Sequence, residues 1–215
     1  MTSRNILIIG DSYSTFDGYI PEGFAPYYKR VTERRTDVTD VADTWWHKLI
    51  SETGSRLAQN NSWSGSTICH TGYGGTDTSG TSSFLHRLDV LCEKGFFNAE
   101  KVDTVLIFGG TNDSWANSPI GALNFGEPSR EELFSVLPAV CRLMARLREL
   151  LPEAELLWLV NTGLKSEIRD GMISAAEHYG VKHVEFDEID KIDGHPTVLG
   201  MEQIKESVKA ALGNG

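Results

Sequence analysis

The sequence predicts an α/β protein: one doubly wound, mostly parallel sheet of about five strands with helices on both faces. Three observations predict it. Runs such as Ile6-Leu7-Ile8-Ile9 and residues 102–108 are apolar almost throughout, as in strands buried on both faces. Such runs alternate with amphipathic stretches of helical period, the order of parallel βαβ units. No linker splits this pattern, so one domain over residues 1–215 is expected, and no internal repeat is visible.

The elements follow in order. The first strand covers residues 4–9. Residues 15–43 form a long connector without helical or strand period, holding Phe16, Tyr19, Phe24, Tyr27 and Tyr28. That is too aromatic for a disordered linker, and connectors of this length are usually lids or binding loops. A lid-like insertion is expected here, with a dimer arm as the alternative. In residues 44–54, Trp45, Trp46, Leu49 and Ile50 share a helical face and Gly54 fits the C-cap. Residues 55–61 read as a weak strand. Residues 70–83, rich in Gly, Thr and Ser, read as a surface loop. Gly72-Tyr73-Gly74-Gly75-Thr76 lacks the spacing and the Lys of a phosphate loop.

Phe84, Leu85, Leu88, Leu91 and Cys92 make the next helix face, closed by Gly95. The strand at 102–108 is followed by a polar loop over 114–129. Leu133, Leu137, Val140, Met144, Leu147 and Leu151 then form a stripe over five turns, stopped by Pro152. Residues 155–160 are the third strong strand, 164–179 a helix ended by Gly180, and 181–186 the last strand. A loop at 187–196 precedes a terminal helix over 198–212.

Thirty acidic against twenty basic residues give a net charge of −10, which argues against nucleic acid or an anionic membrane as partner. Cys69, Cys92 and Cys141 are odd in number, widely spaced and without a CxxC pair, and read as reduced thiols. No signal peptide or membrane span is visible, so a cytoplasmic location is expected. The oligomeric state is not legible.

Four polar stretches stand at ends of expected strands: Gly10-Asp11-Ser12, Ser64-Gly65, Gly110-Thr111-Asn112-Asp113 and Gly194-His195-Pro196. In a doubly wound sheet the carboxyl ends converge on one edge. A serine, a glycine N–H, a side-chain amide and an imidazole are expected to meet there. Singly, each has a plain structural role as helix cap or turn residue. Together they are the parts of an acyl-transfer site: a serine, a base to activate it, and donors for an oxyanion.

On these residues the sequence resembles the SGNH (GDSL-type) hydrolase family over nearly its whole length. Gly10-Asp11-Ser12-Tyr13-Ser14 is similar to the first block, Ser64-Gly65 to the second, Gly110-Thr111-Asn112-Asp113 to the third and Gly194-His195-Pro196 to the fifth. The resemblance implies a flavodoxin-like α/β/α sandwich and a serine hydrolase with neither metal nor cofactor. It implies Ser12 as nucleophile, His195 as base, and Ser12, Gly65 and Asn112 as the oxyanion hole. The family's orienting Asp lies three residues before its His, where this chain has Ile192. Asp190 is the first candidate for that role, Asp193 the second, and a backbone carbonyl the third.

Hydrolysis of a small acyl ester, an acetyl group on a sugar in particular, is the expected function. Trp63 and Trp115 flank the second and third blocks and offer aromatic faces to a sugar. Asp11 and Tyr13, beside Ser12, complete the residues expected at the substrate. A lipase or acyl-thioesterase is one alternative. A catalytically weak ligand-binding protein of the same fold is another, prompted by Ile192.

Overall fold

The computed structural model describes residues 3–213. Five strands form the sheet: β1 (Asn5–Gly10), β2 (Arg56–Ser62), β3 (Thr104–Phe108), β4 (Glu155–Val160) and β5 (Lys182–Glu185). Every pairing is parallel, in the order β2-β1-β3-β4-β5. This is a single α/β domain with the flavodoxin-like strand order. The order reverses at β1, and the crevice outside the carboxyl ends of β1 and β3 is where such sheets bind ligands.

Alternation along the strands feeds two cores. Leu7, Ile9, Val105 and Ile107 join the apolar faces of α2 (Phe84–Glu93), α5 (Val136–Leu150) and α6 (Ser166–His178). Ile6, Ile8, Leu106 and Phe108 pack on the other side with α1 (Trp45–Thr53) and α7 (Val198–Gly213). Two short helices, α3 (Phe96–Ala99) and α4 (Thr111–Trp115), are additions to the expected elements. No helix among the described residues is long and apolar enough to cross a membrane.

Three expectations are corrected. Leu133 lies in a 3-10 turn ahead of α5 rather than on it. The helix starts at Val136 and takes Pro138 in its first turn, where a missing N–H costs nothing. The loop before α7 contains an antiparallel hairpin of β6 (Lys191–Ile192) and β7 (His195–Pro196). Finally, the 15–43 connector sends Phe16, Tyr27, Tyr28, Val38 and Val41 into the core. Phe16, Tyr27 and Tyr28 are buried with Trp45 and Trp46, Asp17 N–H donates to Tyr28 O at 2.9 Å and Ser64 N–H to Ala25 O at 2.8 Å. Residues 29–37 are its mostly exposed part.

Candidate active site

Ser12 opens a 3-10 turn directly after β1. The turn is tight because Asp11 caps it, accepting from Tyr13 N–H at 3.0 Å. Gly10 lets the chain pass: a Cβ there would meet Ser62 Oγ at 2.7 Å and Ser14 Oγ at 2.8 Å. The Ser12 side chain is thereby held at the carboxyl edge of the sheet, 2% exposed.

His195 comes to it on the hairpin. Asp193 and Gly194 form the tip with φ of 50° and 78°, the left-handed pair that suits a two-residue hairpin and that Gly and Asp tolerate best. The hairpin is tied down from several sides. Tyr13 Oη donates to Gly194 O, and Tyr28 Oη to Pro196 O at 2.8 Å. Lys191 Nζ reaches Thr162 Oγ1 at 2.7 Å and Asn161 Oδ1 at 3.2 Å beyond the end of β4.

His195 Nε2 then lies 3.0 Å from Ser12 Oγ, and Nδ1 lies 3.2 Å from the Asp193 carbonyl oxygen. A carbonyl only accepts, so Nδ1 carries the hydrogen and Nε2 presents its lone pair to the Ser12 hydroxyl. Burial makes the imidazolium unfavourable and pushes the His195 pKa down to about 4. Arg34 and Lys191 act in the same direction, and Asp193 opposes them. Three rings surround the imidazole. Tyr27 stacks on its face at 3.5 Å between centroids and 7° between planes, with the Arg34 guanidinium 4.5 Å from the Tyr27 centroid. Tyr13 and Trp115 stand at 5.5 and 5.8 Å.

Asn112 lies in α4, immediately after β3, and is 2% exposed. Its Nδ2 donates to Ser66 O at 3.0 Å. That acceptor fixes the amide orientation, so Oδ1 faces Tyr73 and accepts from its hydroxyl at 2.8 Å. Gly65 sits at the exposed tip of the loop after β2 with φ of 82°. Neither Ser12 N–H nor Gly65 N–H has an acceptor among the described residues.

Two buried charges hold this loop. Asp113, inside α4, accepts from Ile68 N–H and Cys69 N–H at 2.9 and 3.2 Å, and burial pushes its pKa up to about 6. Arg87 of α2 is 1% exposed. It donates to Gly10 O at 3.0 Å, Ser66 Oγ at 3.2 Å, Ser82 O at 2.9 Å and Asn61 Oδ1 at 2.7 Å, and also to Asn61 O.

The structure thus brings Ser12, His195 and Asn112 to one edge, with Gly65 on the adjoining loop. It does not bring the expected carboxylates to the imidazole. The Asp190 carboxylate is taken by the Thr197 hydroxyl. The Asp193 side chain is 55% exposed and faces Arg35 at 3.5 Å, while its backbone carbonyl meets the ring. Asp11 and Tyr13, expected at the substrate, are both 0% exposed and act within the turn and on the hairpin. Asp11 has one carboxylate oxygen without a partner among the described residues, and burial raises its pKa to about 7. Trp115 is 43% exposed beside His195, whereas Trp63 is half-buried against Phe24 at 4.4 Å between centroids. Tyr73 and Arg87 were not among the expected site residues. Tyr73 sits in a loop read as plain surface, and an arginine beside the apolar stripe of a helix reads as solvated.

Residues 4–212 match the family model described as GDSL-like lipase/acylhydrolase. A Bacteroides ovatus crystal structure described as a GDSL-like lipase is 40% identical over all of both chains, with a TM-score of 0.92. A second, from Bacteroides uniformis, is 39% identical over 100% of this chain and 98% of its own, with a TM-score of 0.91. A family two carbohydrate esterase from Clostridium thermocellum, solved with cellohexaose, is 18% identical over 98% of this chain and 64% of its own; at a TM-score of 0.67 that likeness is one of fold. Comparison with curated proteins gives no match.

Proposed function

The chain belongs to the GDSL-like lipase/acylhydrolase family, and from that premise we propose that it is a serine esterase releasing a small acyl group, acetyl in the first instance, from a polar, sugar-like alcohol. The observation that carries the reading is the 3.0 Å contact from His195 Nε2 to Ser12 Oγ, with Nδ1 held by an acceptor that cannot donate. Nε2 takes the Ser12 proton as Oγ attacks the ester carbonyl. The oxyanion is received by Ser12 N–H, Gly65 N–H and the second Nδ2 hydrogen of Asn112. The imidazolium returns its proton to the departing alkoxide. Water, activated by the same nitrogen, then releases the acid and regenerates Ser12.

The acyl preference rests on space. Ser12 is 2% exposed among packed neighbours, while Tyr73 and Trp115 nearby are 46% and 43% exposed. On this reading a small acyl group lies against buried Ser12, and the alcohol meets the exposed rings of Tyr73 and Trp115, whose faces suit a sugar ring. The test is a panel of p-nitrophenyl acetate, butyrate and octanoate together with acetylated sugars. Rates should fall with chain length, and acetate release from a sugar should exceed that from a simple alkyl acetate. A rate rising with chain length would move the assignment to a lipase or acyl-thioesterase.

No carboxylate side chain joins the pair in this mechanism. Asp190→Asn and Asp193→Asn should therefore each keep kcat within a few-fold of the parent, since a backbone carbonyl survives both changes. Removing a true triad carboxylate costs about 10⁴-fold in kcat. A loss on that scale in either variant would restore that Asp as the orienting group.

A further inference from the structure

The two hydrogen bonds of the His195 ring leave one freedom open. They fix the line from Asp193 O through the ring to Ser12 Oγ, but not the rotation of the ring plane about that line. Rotation carries the Nε2 lone pair around a cone about that line, so its aim at the hydroxyl, and with it proton transfer, depends on the ring plane. In a full triad a carboxylate accepts from Nδ1–H and orients the ring, and here both nearby carboxylates face elsewhere.

Building on the esterase reading, we infer that Tyr27 is the positioning residue that holds the His195 ring plane, its aromatic face standing in for the absent carboxylate. The two rings lie 3.5 Å apart between centroids and 7° from parallel. That contact opposes the rotation that the hydrogen bonds permit. Tyr27 is itself fixed: it is 5% exposed, its N–H donates to Thr15 Oγ1 at 2.8 Å, and Thr15 Oγ1 donates to Ser12 O at 3.0 Å. The base and the nucleophile are thus referenced to the same turn. Arg34 closes the far face of the Tyr27 ring at 4.5 Å. The connector therefore contributes a wall of the catalytic machinery.

The wall also keeps water from one face of the imidazole. The charged and titratable groups around that ring are Arg34 and Tyr27 from the connector, Tyr13 from the turn after β1, and Lys191 and Asp193 from the hairpin; Trp115 adds a neutral edge. Taking the Tyr27 ring away lets water reach the imidazolium and stabilise it. The protonated form then persists to higher pH, and the acid limb of kcat/KM moves upward.

The experiment compares Tyr27→Leu and Tyr27→Phe in the full chain. Kinetics on p-nitrophenyl acetate are run across pH, together with an NMR titration of the His195 ring assigned through His195→Gln. Tyr27→Leu should lose about 10- to 100-fold in kcat with a much smaller change in KM, the scale of a misplaced catalytic group. Its His195 titration and acid limb should both rise by about one pH unit or more. Tyr27→Phe, which keeps the face and drops the hydroxyl, should stay within about three-fold of the parent, by the same positional argument. Should Tyr27→Leu not fold, Tyr27→Met, which fills the space without a flat face, takes the same test. Parent-like kcat and titration in the ringless variant, or an equal loss in Tyr27→Phe, would overturn the assignment. The NMR titration needs no substrate. A parent protein that hydrolyses none of the esters in the panel would sink the esterase reading, while the substrate-free titration of His195 would still read the Tyr27 contact.

Discussion

Ser12→Ala is expected to lower kcat on p-nitrophenyl acetate by about 10⁴- to 10⁶-fold, the range for removal of a serine nucleophile. The loss should be that large because no neighbour can substitute. Ser14 is fully buried, and the Thr111 hydroxyl is occupied by Asn161 Nδ2 at 2.8 Å. The fold should barely respond. Ser12 Oγ has His195 as its one side-chain partner among the described residues, and the backbone N–H that serves the oxyanion is unchanged. Thermal unfolding within a degree or two of the parent would separate chemistry from folding. A fluorophosphonate probe should label the parent on the Ser12 peptide and leave the variant unlabelled, read by mass spectrometry. Retained activity together with retained labelling would remove Ser12 from the mechanism.

Much of this arrangement is legible in the sequence, and what escapes it does so for identifiable reasons. Residues 155–160 read as a strand to the residue, because apolar side chains on both faces leave little choice of conformation. Gly54 and Gly180 mark helix ends and adopt φ of 63° and 61°. The β6–β7 hairpin escapes because two-residue strands have no period to read. Its Asp193-Gly194 turn is recognisable, but the turn's consequence is not. It directs the Asp193 carbonyl inward and its carboxylate toward solvent, which inverts the expectation that a side chain orients His195. Tyr27 is visible only as one of many aromatics in the connector, and only the fold decides that its face meets the imidazole. Tyr73 escapes because nothing local distinguishes a loop tyrosine in solvent from one that donates to Asn112.

Arg87→Met is expected to cost about 3–5 kcal/mol at pH 8, the range for breaking a buried charged network. Methionine keeps the apolar stem of arginine and stops short of the guanidinium, so the stem's packing in α2 is retained while the space of the charged group is vacated. What disappears is the guanidinium that joins Gly10 at the end of β1, Asn61 at the end of β2, and Ser66 and Ser82 in the loops between β2 and α2. Buried Asn61 Oδ1 and Ser66 Oγ lose that donor, Gly10 O keeps only Trp63 N–H among the described residues, and the loop that supplies Gly65 and the Ser66 carbonyl to Asn112 loses its anchor. The loss should depend on pH. Asp11 has a folded-state pKa of about 7, raised first by burial, with Arg87 among the groups that lower it. A raised carboxyl pKa means that the folded chain holds a proton the unfolded chain has released. Stability from this group is thus present at acid pH and falls as pH rises from about 4 to about 7. At pH 5 Asp11 is protonated, and Arg87 is worth only its hydrogen bonds. At pH 8 Asp11 is ionised in the parent, and removing Arg87 also takes away its counter-charge. Urea unfolding at the two pH values should therefore give the larger deficit at pH 8. Domains of this kind have about 5–15 kcal/mol in total, so the variant should sit close to unfolding there. A deficit under about 1 kcal/mol at both pH values, by the scale of a single ordinary hydrogen bond, would mean that Arg87 does not hold the site together.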